Sequence, residues 1–378
     1  MTKPLVTWFA NPHEHSVHFI KFGLMQLERR GEIRFQEIPN HLAAGALPGS
    51  IASHSHRRTA AALLRDGHTS KVVVFDGEDS IFQTSPLLTV SDYYFVCAFH
   101  RRFFEGEPFA MAYAWQDGSE VDYYRKLYGK LQDRFRPYLC KARPIVPIGP
   151  ELESEVKLDF SEQRLHNLRH RIRKTVTRTI DWLPQYERFE KRWGRLEELR
   201  TLAPRYDVVL KDSLWGWPRH RIALHRKLAE LSEKFEIRAE LDYRQPEAYE
   251  LGKHPSPDPE DFPVRSGAGI TGDYEEMLAA SRLGVFATGF HWGCRNVVTL
   301  AWFLGLPVYM DKPVFEAIYD FDNFSLFYNE TGNWSEMEEH LKRSKETRAA
   351  EKKKCQAVFD RIAGPAVAAR HILSTVFN

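Results

Sequence analysis

The stretch that decides the fold covers residues 281–312 and reads SRLGVFATGFHWGCRNVVTLAWFLGLPVYMDK. Its apolar run at 283–287 predicts a buried strand, and the glycines that follow allow a tight turn. The nearly all-apolar segment 294–304 predicts a buried helix, and Gly305 suits the left-handed residue that ends one. A second buried strand is predicted at 306–310. The stretch therefore predicts one βαβ unit with a right-handed crossover.

This unit places the start of a helix at the edge of a sheet, where free N–H groups and the helix dipole favour an anion. We expect Arg295 and Asn296 in the first turn of the helix and His291 just before it. A cation in the first turn opposes the dipole, so its presence favours a bound phosphate. The alternative is a structural corner in which Arg295 forms a salt bridge.

Several motifs around this unit resemble the donor domain of GT-B glycosyltransferases, most closely the exostosin-like group. They are YEEML at 274–278, SRLGV at 281–285, the glycine turn with an arginine at the following helix, and LPV at 306–308. The resemblance implies that the turn and helix start bind a nucleotide sugar through Gly289, His291, Trp292, Gly293, Arg295 and Asn296. One departure is that the helix lacks the glutamate with which many GT-B enzymes hold the ribose.

A weaker echo of the same family lies at 211–228, between a predicted strand at 206–210 and a predicted helix at 222–231. The resemblance implies that Lys211, Arg219 and Arg221 approach the nucleotide diphosphate. Phosphate oxygens favour bidentate arginine and the point charge of lysine. The alternative is a solvated basic helix start. Further donor-binding candidates are Arg265, Ser266 and Gly267.

The first part of the chain alternates strand and helix signals, which predicts an open parallel α/β sheet. Strands are predicted at 5–10, 33–38, 71–75 and 92–98, and helices at 17–30 and 54–65. Ligands of such sheets bind beyond the carboxyl ends of the strands.

Two loops at that edge carry ionisable groups that could act as a general base toward a sugar hydroxyl. Asp76 and Asp79 follow the strand at 71–75, and His15 lies in the loop after the first strand. These three are the predicted catalytic residues. The alternative interpretation is that Asp76 begins an ordinary turn and that Asp79 caps a helix.

Together these signals predict an α/β protein with two Rossmann-like domains facing a central cleft, the GT-B architecture. The predicted parts are an acceptor-side α/β domain at 1–150, a helical interdomain segment at 151–200, a donor domain at 201–364, and a helix at 365–378. The resemblance to GT-B enzymes implies that the helix at 365–378 packs back toward the first domain.

The basic and apolar residues of the interdomain segment, at 164–180, leave three interpretations open. The segment could be a docked helix with a solvated basic edge, a membrane-surface helix that meets a lipid-linked acceptor, or a nucleic-acid contact. The formal net charge of +2 over 378 residues argues against nucleic acid as a partner.

Four widely separated cysteines and the lack of a signal-peptide pattern predict a cytoplasmic protein without a disulfide framework. No convincing metal motif is present, because the Asp320-Phe321-Asp322 spacing lies beyond the second strand of the βαβ unit. No metal and no cofactor are predicted; the nucleotide sugar is a co-substrate.

The sequence therefore predicts a metal-independent glycosyltransferase that moves a sugar from a nucleotide-sugar donor to a glycan or glycoconjugate acceptor. Synthesis of a bacterial surface polysaccharide at the inner face of the membrane is the expected setting. The rival interpretations are a nucleotide-sugar epimerase on the same fold, and a non-catalytic protein that binds a nucleotide sugar or RNA.

Overall fold

The computed structural model describes residues 3–11, 14–39, 45, 47–52, 58–153, 179–214, 216–242, 259–342 and 345–378. Most of the predicted basic helix at 164–180 lies outside these residues. Within the described part, twelve strands form two separate six-stranded sheets. The predicted fold class, two Rossmann-like α/β domains in the GT-B arrangement, is thereby confirmed.

The first sheet combines strands from the first 144 residues. They are Leu5–Ala10 (β1), Arg34–Pro39 (β2), Thr59–Asp66 (β3), Thr69–Asp76 (β4), Tyr93–Val96 (β5) and Ala142–Pro144 (β6). Their order is β2-β1-β3-β4-β5-β6. β3 is antiparallel to both of its neighbours, and the other pairs are parallel.

The helix predicted at 54–65 is wrong where the structure describes it, because Thr59–Asp66 is strand β3. Its alanines and leucines favour a helix by less than ~1 kcal/mol per residue. In the fold the segment is buried in the middle of the sheet, and Asp66-Gly67 starts a hairpin in which Gly67 has φ +56°. The sheet is therefore mixed, where a parallel one was predicted.

The second sheet is built from Tyr206–Ser213 (β7), Ile237–Asp242 (β8), Arg265–Ser266 (β9), Ser281–Phe286 (β10), Val308–Met310 (β11) and Leu326–Tyr328 (β12). Its order is β12-β11-β10-β7-β8-β9, with only the edge strand β9 antiparallel to its neighbour among the described strands. This is the Rossmann strand order. Its topological switch point lies between β7 and β10, where such sheets bind ligands.

The described helices pack mainly on the faces of these sheets. They are His18–Arg29 (α1), Gly49–Ala52 (α2), Arg101–Phe104 (α3), Gly118–Phe135 (α4), Leu183–Leu199 (α5), Pro218–Leu231 (α6), Tyr274–Ala279 (α7), Asn296–Leu304 (α8), Met337–Leu341 (α9), Lys345–Ile362 (α10) and Pro365–Phe377 (α11). Among the described helices, none combines the length and apolar character that a membrane crossing needs.

The predicted βαβ unit is confirmed as β10, α8 and β11, with β10 and β11 parallel. Gly305 has φ +86° and ends α8 as expected. The helix begins at Asn296, so Arg295 is its extended N-cap residue and not part of the first turn. The cation therefore stands beside the helix start, where it opposes the dipole less.

Helix α11 lies against α1 of the first domain. The approach is so close that a Cβ on Gly23 would lie 2.0 Å from the carbonyl oxygen of Pro365. The guanidinium of Arg370 also pairs with the carboxylate of Glu32 at 2.6 Å. The chain thus returns to its first domain after completing the second.

Candidate active site

A cavity of about 190 Å³ lies where the carboxyl edges of the two sheets face each other. It is lined by His15, Ser16, Phe19, Arg58 and Asp79 from the first domain, by residues 148–151 of the connecting segment, and by Ser213, Arg221, Phe290, Arg295 and Asn296 from the second. Candidates predicted from both domains therefore meet in one space.

The first-domain side of the cavity is formed by one edge of the mixed sheet. β1 and β4 run in the same direction and β3 runs against them, so the ends of β1 and β4 lie beside the start of β3. This geometry brings His15, Arg58 and Asp79 together. The carbonyl oxygen of Arg58 accepts a hydrogen bond from Gly77 N at 2.8 Å, which joins the two loops.

The two predicted aspartates of this edge lie in different environments. Asp76 is buried, and its carboxylate accepts hydrogen bonds from Glu78 N at 2.9 Å and from the Tyr94 hydroxyl. Burial, together with the nearby Asp76 carboxylate, raises the pKa of Tyr94 well above its usual value. Asp79 lines the cavity with a side chain that is 33% exposed, and its carboxylate lies 3.4 Å from Nη1 of Arg58. Asp79 is therefore the aspartate that a ligand in the cavity can reach.

The loop that carries His15 is anchored by its neighbour Glu14. The buried Glu14 carboxylate accepts hydrogen bonds from Trp8 Nε1 at 3.0 Å, Asn11 N at 2.9 Å and Lys21 Nζ at 2.7 Å. Lys21 is itself buried and also pairs with Glu37 at 2.8 Å. Burial alone would lower the pKa of Lys21, but the two carboxylates outweigh it and raise it. This buried ion cluster fixes the backbone next to His15.

The second-domain side is built around a buried carboxylate, Asp212, at the end of β7. Its Oδ1 contacts the guanidinium of Arg221 and lies 2.9 Å from Nη2 of Arg295. Burial alone would raise the pKa of Asp212, but the two guanidiniums lower it to about 2. Two cations share one anion, which leaves a formal charge of +1 beside the cavity.

The two arginines of this cluster differ in how much of their hydrogen-bonding capacity is taken. Arg221 is 3% exposed and also donates to the carbonyl oxygens of Gly216 at 2.9 Å and of Thr288 at 3.4 Å. Burial lowers its pKa to about 10. Arg295 is 16% exposed at its side chain, and its Nη1 contacts within the described part of the chain are long, at 3.5 Å to Asp212 and to the carbonyl oxygen of Ala287. Arg295 is thus both a salt-bridge partner and a donor available to a ligand.

The residues 289–293, called the 289–293 turn below, contact the first domain. His291 and Trp292 have φ of +53° and +61°, and both are buried. Nδ1 of His291 lies 2.7 Å from Ser80 Oγ, and Trp292 Nε1 donates to Gln116 Oε1 at 3.1 Å. A Cβ on Gly293 would lie 1.4 Å from the carbonyl oxygen of Asp79. Among the predicted donor residues Gly289, His291, Trp292 and Gly293, none lines the cavity.

The remaining predicted donor residues lie elsewhere. Lys211 is exposed on the opposite side of β7 from Asp212, as strand alternation requires, and Arg219 is exposed on α6. Arg265 and Ser266 form edge strand β9, and Gly267 follows in a turn with φ +61°. The side chain of Arg265 faces Glu240 at 3.8 Å. These five residues do not line the cavity.

Sequence reasoning did not assign a role to Asp212, Arg58 or Ser213. Asp212 follows Lys211 at the end of a predicted strand. The sequence feature that could have indicated its role is a carboxylate close to several basic residues. Arg58 lies in the segment predicted as a helix, which hid its position at the sheet edge. Among the described residues, no three His, Cys, Asp or Glu side chains cluster as metal ligands would.

No protein-family model and no curated protein matches the chain. Among solved structures, Anabaena HepE in complex with UDP-glucose aligns over 97% of this chain and 96% of its own, at 12% identity and a TM-score of 0.38. A Listeria monocytogenes structure described as a UDP-N-acetylglucosamine 2-epimerase aligns over 100% of this chain and 96% of its own, at 13% identity and a TM-score of 0.35.

A third solved structure, the N-terminal domain of the Candida albicans trehalose-6-phosphate phosphatase, aligns over 50% of this chain. The match spans 44% of that chain, at 9% identity and a TM-score of 0.30. Similarity at these TM-scores assigns no function. The GT-B arrangement of the present chain therefore rests on its own strand order and on the cleft between its two sheets.

Proposed function

We propose that the protein is a metal-independent glycosyltransferase related to the exostosin-like group, with a nucleotide sugar as donor. The observation that carries this proposal is the cavity, which sets Arg295 and Asn296 of the second domain opposite Asp79 and His15 of the first. A cation beside a helix start suits a diphosphate, and a carboxylate opposite it suits an acceptor hydroxyl.

In the proposed reaction, the bond between the sugar C1 and the diphosphate oxygen breaks, and a bond forms from C1 to the acceptor oxygen. Asp79 accepts the proton of the acceptor hydroxyl, with His15 as the alternative base. The electron pair of the broken bond leaves with the nucleoside diphosphate. Arg295 and the first N–H groups of α8 stabilise that growing negative charge, a role for which preorganised donors are well suited.

The acceptor in this proposal is a glycan or glycoconjugate of a bacterial surface polysaccharide, carried in part on lipid. The support is the mixed basic and apolar spacing at 164–180, which suits contact with a membrane surface. Binding of vesicles with and without anionic lipid, compared between the full chain and a variant with glutamines at its basic positions, tests this part separately.

The central test is a thermal-shift screen of nucleotides and nucleotide sugars. A ligand at 100 times its Kd stabilises the folded state by about 2.7 kcal/mol, so one nucleotide sugar should raise the Tm clearly. Stabilisation by none of them would contradict the proposal. The ligand that stabilises is then incubated with the protein alone. Conversion of its sugar without an acceptor would identify an epimerase in place of a transferase.

A further inference from the structure

The 289–293 turn connects the two sides of the cavity directly. On the second-domain side, Phe290 of the turn lines the cavity, and Arg295 follows two residues after the turn. On the first-domain side, Nδ1 of His291 lies 2.7 Å from Oγ of Ser80, the residue after Asp79. A single short loop of the second domain therefore touches both the cationic side and the residue that follows the proposed base.

The backbone of this turn is held in an unfavourable conformation. His291 and Trp292 both occupy the left-handed region, which costs on the order of 1–3 kcal/mol for each non-glycine residue and persists only when surrounding contacts enforce it. Some of those contacts come from the first domain, through Ser80 for His291 and Gln116 for Trp292. Others come from the second domain, where Trp217 Nε1 donates to the carbonyl oxygen of Gly289 at 2.9 Å. Docking across the domain interface thus contributes to holding the strained shape of the turn.

The fit of the turn also constrains Asp79 itself. The position of Gly293 allows no Cβ, because the carbonyl oxygen of Asp79 occupies that space. Ser80 Oγ accepts a hydrogen bond from Phe82 N at 3.1 Å, and Ser80 is the N-cap residue of the 3-10 helix Ile81–Gln83. The Ser80 hydroxyl therefore joins the turn to the backbone just after Asp79. A shift of the turn would therefore shift the Asp79 backbone.

From these contacts we infer that His291 is a positioning residue, which sets the Asp79 carboxylate through its hydrogen bond to Ser80 and does not bind the donor. This inference rests on the proposed function, since it assigns His291 a task in that reaction. It also replaces the donor-binding role predicted for His291 from the sequence. The turn thereby contacts both the cationic side of the cavity and the loop that carries the proposed base.

The experiment compares His291→Gly with His291→Asn. Both substitutions tolerate a φ of +53°, so backbone strain does not separate them. Asparagine carries an acceptor oxygen at the place of the histidine Nδ1 and keeps the bond to Ser80, whereas glycine loses it. We expect His291→Gly to lower turnover roughly ten- to hundredfold, as a misplaced catalytic group does, with the nucleotide Kd within about twofold of wild type. His291→Asn should recover most of the turnover.

Amide hydrogen exchange gives a second readout that needs no activity. The amides of Phe82 and Gln83, bonded to Ser80 Oγ and Ser80 O, should exchange faster in His291→Gly than in His291→Asn. Equal exchange, equal turnover, or a nucleotide Kd weakened as much as turnover falls would overturn the inference. If wild type binds no nucleotide, the transferase proposal fails, and the exchange comparison still decides whether His291 holds the Asp79 loop.

Discussion

The two sheet edges that face the cavity follow the same plan with opposite charges. On the first-domain edge, Asp76 is buried and fully engaged while Asp79 faces the cavity. On the second-domain edge, Arg221 is buried and engaged while Arg295 is partly exposed. In each pair the buried member fixes a loop and the outer member is available to a ligand. A residue type at a strand end therefore does not by itself reveal whether the residue stabilises the fold or binds a ligand.

The largest expected effect is a loss of turnover that occurs on substitution of Asp79 and not of Asp76. Asp79→Asn removes the proposed proton acceptor and should lower turnover by about 10²–10⁴-fold with nucleotide affinity unchanged. Asp76→Asn should instead lower stability, because a buried acceptor for the Tyr94 hydroxyl and Glu78 N is altered. Steady-state kinetics and urea unfolding on both variants measure the difference. Full turnover in both Asp79→Asn and Asp76→Asn would exclude this loop from proton transfer and leave His15 as the base.

The next effect concerns the buried arginine. Arg221→Ala should destabilise the fold by roughly 3 kcal/mol, the low end for a broken buried ion pair, because Arg295 still faces Asp212. The matched control is Arg219→Ala on the same helix, where the side chain is exposed and the expected change is within about 0.5 kcal/mol. Urea unfolding measures the free energy of unfolding of both variants. Equal stability of the two variants would contradict a structural role for Arg221.

The outer arginine should act on affinity. Arg295→Ala should weaken nucleotide binding roughly ten- to hundredfold, which corresponds to one charged hydrogen bond of about 1.5–3 kcal/mol. Arg295→Lys should recover only part of this, because the planar fork is lost. Calorimetric Kd and Tm are measured on the same variants. A lower Tm with unchanged Kd would make Arg295 a structural residue like Arg221.

The smallest effect is a pH dependence that originates at Asp212. Its folded pKa of about 2 lies below the usual value near 3.9, so its ionisation contributes stability above about pH 4 that is lost as pH falls toward 2. The contribution is about 2 kcal/mol. Asp212→Asn should therefore be less stable than wild type at pH 7, with a difference that narrows at pH 3. A difference independent of pH would contradict the assigned shift.

Local sequence patterns predicted most of the fold. The apolar runs of β1, β4 and β10 and the glycine after α8 are signals contained within a few neighbouring residues. The pattern failed at β3, whose alanines and leucines form a strand because two neighbouring strands enclose it. Tertiary burial decides such a segment, and no feature of its own residues shows which strands will flank it.

The site was predictable in residue type more than in arrangement. Arg295, Asp79 and His15 follow strand ends, and strand ends of parallel sheets are where ligands bind. The docking of Gly293 on Asp79 joins residues 214 positions apart, so no local pattern contains it. The same holds for Asp212, because its role depends on Arg221 from helix α6 and on Arg295 at the start of α8.

The return of α11 to α1 sets the order in which the protein can be completed during synthesis. The surface of α1 around Gly23 is covered by Pro365 and the helix that it starts. A ribosome that adds about 5–20 residues per second needs roughly 12–47 seconds to travel from the end of the first sheet to residue 377. Throughout that interval the first domain carries uncovered apolar surface, so its final packing waits for α11 to emerge.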